Sequence, residues 1–312
     1  MADHFDGERF FNPRDSQAHG LGGGLRWQCA RLPHAWRGWT KAEPGPLPVK
    51  KVTGGEIRAT LVNHATVLIQ MEGMNLLTDP IWSNRASPVF WAGPRRRRPP
   101  GIRFEDLPRI HGVLITHNHY DHLDRPTLLR LAIHHEPRFF VPLGNAELLH
   151  QDGIQCTEMD WWQTTPLVPL WIDCLPAKHF SGRGLTDRNR TLWCGYLITG
   201  SHGSVYFAGD TGYGPHLEEV RGWCPRLRLA MLPIGAYLPR WFMSPVHMSP
   251  EEAVKAHRLL GAGASMAMHF GTFPLGDDGE WEGPDDLRRA LAGAGVPEAE
   301  FRIPRFGQPL TF

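Results

Sequence analysis

Two textures of polar and apolar positions divide this chain. From Ile57 onward, short apolar runs recur between turn residues, the pattern of strands with one or both faces buried. They predict strands over Arg58–Val62, Thr66–Met71, Asn75–Thr78, Val113–Thr116, Arg138–Val141, Val168–Leu175, Thr191–Ile198, Ser204–Ala208 and Arg228–Leu232. Helical spacing interrupts them. Arg125–His134 carries Leu128, Leu129, Leu131 and Ala132 on one face, and Ser249-Pro250-Glu251-Glu252 reads as a capping box opening a helix to Leu260. Pro284–Ala292 starts acidic (Asp285, Asp286) and ends basic (Arg288, Arg289), which suits a helix dipole. Residues 1–56 have little period beyond a short helix near Leu25–Leu32, and read as an N-terminal arm lying over one domain, 57–312. Strands first, then strands alternating with helices, predict an α/β sandwich of two sheets flanked by helices.

Composition narrows the function classes. With 312 residues and 41% hydrophobic side chains the chain can bury a sizeable core. Lys plus Arg (33) balances Asp plus Glu (32), so a net charge of +1 gives no electrostatic case for nucleic acid. The five cysteines (29, 156, 174, 194 and 224) show no C-x-x-C spacing and suggest neither a disulfide framework nor a thiolate zinc site. No basic start followed by an apolar run opens the sequence, and no window has the apolar length of a membrane span, so the expected location is cytoplasmic. Arg95–Arg98 reads as a solvated loop or, functionally, as a basic patch for anionic headgroups.

The 17 histidines change the picture, because several fall at strand ends beside acidic residues. After the apolar run Val113–Ile115 comes Thr116-His117-Asn118-His119-Tyr120-Asp121-His122-Leu123-Asp124. Four ligand-type side chains within six residues, at a strand end before a helix, can point into one cavity: His117 and His119 toward one metal, Asp121 and His122 toward a second. Three more candidates each end an apolar run: His179, Asp210 and His269. Imidazole and carboxylate donors favour zinc, with iron or manganese as alternatives.

These motifs, with NHATVLIQ, LLTDPIWSNRASP, VLITHNHYDHLD, VYFAGDTGY, PIGAYLPRWFMSPVHMSPEEAV and SMAMHFGTF, resemble the metallo-β-lactamase superfamily, and within it the N-acyl-phosphatidylethanolamine-hydrolysing phospholipase D family, from about residue 57 to 285. The resemblance implies the four-layer αβ/βα sandwich. It also implies His117, His119 and His179 on one metal, Asp121, His122 and His269 on the other, and Asp210 bridging. It implies a phosphodiesterase acting on N-acylated phospholipids by attack of a metal-bridging hydroxide, with Asp121, Asp210 and His247 as its catalytic residues. His247 would act as a general acid or as a donor to a phosphate oxygen. His64 is expected near the metals, and Asp79 and Asp124 as carboxylates behind the ligands. Tyr237, Arg240 and Trp241 are expected to line the substrate mouth. A lactonase or other carboxylic-ester hydrolase of the same fold is the alternative. A lipid substrate would bring peripheral contact with the inner membrane surface, for which Phe10, Phe11, Trp27, Trp36 and Trp39 beside Arg26, Arg31 and Arg37 of the arm are candidates.

Overall fold

The apolar runs pair into two seven-stranded sheets in the computed structural model, which describes residues 4–14, 17–36, 38–224 and 226–312. The first sheet takes β1 (Ile57–Asn63), β2 (Thr66–Met71), β3 (Met74–Thr78), β4 (Gly112–Leu114), β5 (Arg138–Pro142) and β6 (Cys156–Met159). The second takes β7 (Thr164–Leu167), β8 (Leu170–Leu175), β9 (Gly195–Gly200), β10 (Gly203–Phe207), β11 (Leu227–Pro233), β12 (Ala264–Met268) and β13 (Phe301–Arg302), and β14 (Pro309–Thr311) returns to the first beside β1. The helices are α1 (Leu21–Cys29), α2 (Arg125–His135), α3 (Ala146–His150), α4 (His216–Trp223), α5 (Arg240–Met243), α6 (Pro250–Leu260) and α7 (Glu282–Ala294).

Period-two alternation explains how the layers stack. Along β2, Val67 and Ile69 enter the main core with Ile172, Ile198 and Val205 of the second sheet. Leu68 between them faces the other way, into a second core with Leu128 and Leu131 of α2. The sequence at Ser249 closes its capping box as expected: Glu252 N–H donates to the Ser249 hydroxyl (3.2 Å) and the Ser249 N–H to the Glu252 carboxylate (2.8 Å).

Strand direction collects the functional loops. β3, β4, β5 and β6 run parallel, as do β10, β11, β12 and β13, while β8 is antiparallel to β9 and β9 to β10. β8 therefore runs with β10 and β12, and the chain leaves all three at one edge of their sheet, where ligands bind in open α/β sheets.

Some expectations shift. The strand expected over Val113–Thr116 ends at Leu114; the Ile115 N–H still reaches the Phe140 carbonyl (3.0 Å), but the Thr116 N–H turns to the Asp79 carboxylate (2.7 Å). Val168–Leu175 is half of a hairpin, with the exposed Val168 and Pro169 in its turn. The four-arginine run is solvated only in part: Arg95 is exposed and Arg97 half-buried. Arg96 and Arg98 are 2% and 6% exposed; Arg96 donates to the carbonyls of Ile81 (3.0 Å) and Ser83 (2.9 Å), and Arg98 lies over the Phe306 ring at 3.8 Å. The Arg96 guanidinium ties together the loop after β3, joining the Asn63 amide on the Ile81 carbonyl. The arm packs only some of its aromatics inward. Phe10 is buried, Trp36 donates to the Asp278 carbonyl (2.9 Å), and Trp39 is 53% exposed; Arg37 lies outside the described residues.

Candidate metal centre

The segment after β4 is drawn into a tight turn by the N–H groups of His122 and Leu123, both donating to the His119 carbonyl (3.1 and 2.9 Å). The turn sends His117, His119, Asp121 and His122 toward one point before α2 begins. His179 reaches it from the end of β8, Asp210 from the end of β10 and His269 from the end of β12. Gly209, at φ 61°, lets Asp210 approach, since a Cβ there would sit 2.7 Å from Thr116 Cγ2. His64, Asp79 and His269 hold left-handed backbone (φ 45°, 36° and 60°), strain of the kind that collects at functional sites.

Within the cluster, His117 Nε2 and His179 Nε2 stand 2.8 and 3.3 Å from His119 Nδ1. Asp210 Oδ2 is 3.2 Å from His122 Nε2, 3.1 Å from His269 Nε2 and 3.9 Å from His179 Nε2, so it faces both halves of the cluster. Asp121 Oδ2 is 3.2 Å from His122 Nε2, 3.6 Å from His269 Nε2 and 2.9 Å from His64 Nε2.

The arrangement fits metal ions on two grounds. First, His122 Nε2, His269 Nε2 and Asp210 Oδ1 are buried without a hydrogen-bond partner, which a folded chain seldom leaves unexplained. Second, the outer ring atoms are already engaged: His122 Nδ1 with Asp79 (2.8 Å), His179 Nδ1 with the Val246 carbonyl (3.0 Å) and His117 Nδ1 with the Thr116 hydroxyl (2.9 Å). Such partners fix the tautomer and turn Nε2 inward. Protonation agrees for three of the imidazoles; at His122 and His269 burial is overridden by the Asp210 and Asp121 carboxylates, which raise His122 well above its ordinary value and His269 to about 9. Burial pulls His119 down to about 3 and His179 to about 4, and with the neighbouring imidazoles holds His117 well below its ordinary value. These three are neutral, as ligands must be. Burial raises Asp121 and Asp210, but His122 overrides it and both carboxylates stay well below their usual range.

The mouth is a cavity of about 260 Å³, with His119, Asp121, Asp210, His247 and His269 at its floor. Its walls are apolar: Phe180, Phe242, Met243, Val246 and Leu275, with Ala18, His19 and Trp27 of the arm. A larger cavity of about 470 Å³ lies among Trp161, Trp162, Trp223 and the arm; it holds none of the ligand-type cluster, so the chemistry belongs to the smaller one.

Several expected positions are corrected. Asp124 does not back a ligand: its carboxylate accepts from the Ser83 N–H (3.1 Å), the Ser83 hydroxyl (2.7 Å) and the Thr127 hydroxyl (2.6 Å), tying α2 to the loop after β3. Tyr237, Arg240 and Trp241 do not line the mouth. The Tyr237 hydroxyl donates to Asp286 (2.6 Å) and Arg240 is spent on Glu252 (2.7 Å) and the His247 carbonyl (2.9 Å). Trp241 lies under the Arg26 guanidinium (4.7 Å), and its neighbour Phe242 faces the site. One helical step separates the two rings, and no periodicity chose between them. Phe180 follows His179 directly and was findable by that adjacency; Ala18 and His19 carried no signal.

Comparison with known proteins gives the lineage. A beta-lactamase superfamily domain model matches residues 74–270. An N-acyl-phosphatidylethanolamine-hydrolyzing phospholipase D of Caenorhabditis elegans is 38% identical over 266 residues, covering 80% of this chain and 75% of the relative. The chain belongs to the metallo-β-lactamase superfamily, in its N-acyl-phosphatidylethanolamine phospholipase D-like family. This family's fold recurs in a metallo hydrolase of Ignicoccus hospitalis (TM-score 0.62, 24% identity, 82% of this chain and 98% of that one). It recurs also in a diiron β-hydroxylase of Streptomyces venezuelae (TM-score 0.61, 23% identity, 85% of this chain and 55% of that one). The protein is thus a metal-dependent hydrolase by kinship, and its two mixed sheets flanked by helices are the family's sandwich.

Proposed function

We propose that the protein is a dinuclear-metal phosphodiesterase that cleaves N-acyl-phosphatidylethanolamine-type phospholipids on the phospholipase D side of the phosphate. The observation that carries this reading is the convergence of five imidazoles and two carboxylates on one buried point, with Asp210 between the halves, in a chain 38% identical to a phospholipase of that activity. His117, His119 and His179 would hold one metal, Asp121, His122 and His269 the other, and Asp210 both. A bound metal pair supplies a water acidic enough to ionise near neutrality and polarises the scissile group. Zinc suits the donor set; a fold shared with a diiron enzyme leaves the choice between zinc and iron to metal analysis.

The remaining work falls to the chain's own residues. His64, buried and 2.9 Å from Asp121 Oδ2, orients that carboxylate. His247 stands 3.8 Å from Asp210 Oδ2 at the cavity floor. Burial holds it well below its ordinary pKa, against the pull of Asp210, so it is neutral there. That favours the donor role over the general acid: a neutral imidazole gives a hydrogen bond to a phosphoryl oxygen as charge develops. The apolar walls exclude water from the reacting face.

The enzyme would meet its lipid from the cytoplasmic side of a bilayer. Among the described residues no helix is long and apolar enough to cross a membrane, while Leu25, Leu32, Phe90 and Trp91 are 68–90% exposed and suited to peripheral contact. The test is hydrolysis of a chromogenic phosphodiester and of a lactone by one metal-analysed sample. Phosphodiester turnover supports the reading; lactone turnover alone moves the reaction to carbon.

A further inference from the structure

One side of the mouth is closed by residues that belong to neither sheet nor to the helices covering them. The arm is anchored first behind the ligands, where Asn12 Nδ2 donates to the His179 carbonyl (3.0 Å) and Phe10 sits in the main core. It is anchored again beyond the mouth, where Trp27 Nε1 and Arg31 Nε both donate to Asp277 Oδ1 (3.1 Å each). Ala18, His19 and Trp27 line the cavity, and Trp27 stacks on Phe242 with ring centroids 5.0 Å apart and planes 21° apart.

Helix α1 is weak by its own sequence. Gly22, Gly23 and Gly24 weaken it, Gly20 offers no side-chain cap, and Leu25 is 68% exposed. Side-chain clamps such as those at Asp277 and Phe242 hold it in place rather than its own propensity. What it presents to the site is an indole, facing apolar walls that include Phe180, Met243 and Leu275. Chemistry at a phosphate or a carbonyl requires no such sleeve. An alkyl chain beside the scissile group does, because only the chain gains from leaving water there.

We infer that Trp27, stacked on Phe242, is the specificity-determining wall of the site: it grips the apolar chain next to the scissile group and sets a preference for long-chain over short-chain substrates. The inference rests on the proposed hydrolase reading for what lies at the floor, but not on whether phosphorus is the atom attacked.

The test is calorimetric titration of the metal-loaded protein, arm included, with butyl, octyl and dodecyl phosphate below their micelle concentrations, beside turnover of chromogenic phosphodiesters of matching chain length. In the parent, affinity rises with chain length, by roughly four-fold per methylene that reaches the wall. In Trp27→Ala the gain from butyl to dodecyl falls ten-fold or more. Trp27→Phe restores most of it, and Phe242→Leu and Asp277→Asn move it the same way as Trp27→Ala. A parent indifferent to chain length, or variants that keep its full gain within two-fold, would overturn the inference. Chain-length-dependent binding by a parent that turns over no phosphodiester leaves the wall standing and removes the proposed reaction.

Discussion

Replacing Asp79 by asparagine tests how the ligand set is held. Its carboxylate is fully buried and accepts from the Thr116 N–H (2.7 Å), the Thr116 hydroxyl (2.7 Å) and His122 Nδ1 (2.8 Å). Asparagine keeps the shape and one acceptor, which can still serve the Thr116 N–H. It places an NH2 donor where His122 Nδ1–H was received. The His122 proton then moves to Nε2, the atom that faces Asp121 and Asp210, and a protonated Nε2 cannot bind a metal. Partners of this kind are worth about 10- to 100-fold in metal affinity, or about 1.4–2.7 kcal/mol. The assay is chelator competition at fixed pH, with the melting temperature of metal-free protein as a fold control. The expected result is weaker binding by that factor at one of two sites, with a cooperative transition retained. Asp79→Asn with metal affinity within two-fold of the parent would refute the role given to Asp79.

Other expectations follow from the same contacts. His247→Ala should lower kcat by about 10²–10³ with metal content unchanged, and His247→Gln, which keeps a donor, should recover part of that loss; kinetics with metal analysis decide it. Arg96→Ala removes two charge-assisted bonds to carbonyls and should cost about 3 kcal/mol or more, read as a lower melting temperature that Arg96→Lys does not restore, because the fork of donors is lost. Asp278 is raised by burial from 3.8 to about 6, against the pull of the Leu238 and Ala236 N–H groups. The folded state therefore binds this proton more tightly, so the stabilisation is present below about 3.8 and lost as pH rises through about 6. The stability of Asp278→Asn relative to the parent should shift in the variant's favour between pH 4 and 7, by at most about 3 kcal/mol; a difference independent of pH would contradict it.

The centre of the fold was legible because its signals are local. An apolar run between turn residues placed β2 at its observed ends, and Ser249 with Glu252 marked the start of α6 through chemistry contained in four residues. The ligand-type residues were legible because their side-chain types are unusual at strand ends. What was hidden depended on contacts between distant segments. Arg96 is buried because it folds onto the carbonyls of Ile81 and Ser83, a contact invisible in a run of four arginines. β12, with the sequence ASMAM, carries no β-branched residue and is a strand because β11 and β13 pair with it on either side. The choice of Phe242 over Trp241 at the mouth depends on a four-residue helix and an arm that packs against it, neither of which has a period to read.

The atom that receives water decides the central claim most directly. The metal-loaded protein would be incubated with N-acyl-phosphatidylethanolamine vesicles in ¹⁸O-labelled water, with Asp210→Ala as control, and the products resolved by mass spectrometry. Cleavage at phosphorus predicts one ¹⁸O in phosphatidic acid, none in the released N-acylethanolamine, and no turnover by the variant. Label in a free fatty acid, or phosphatidic acid formed undiminished by Asp210→Ala, would contradict a phosphodiesterase built on this cluster.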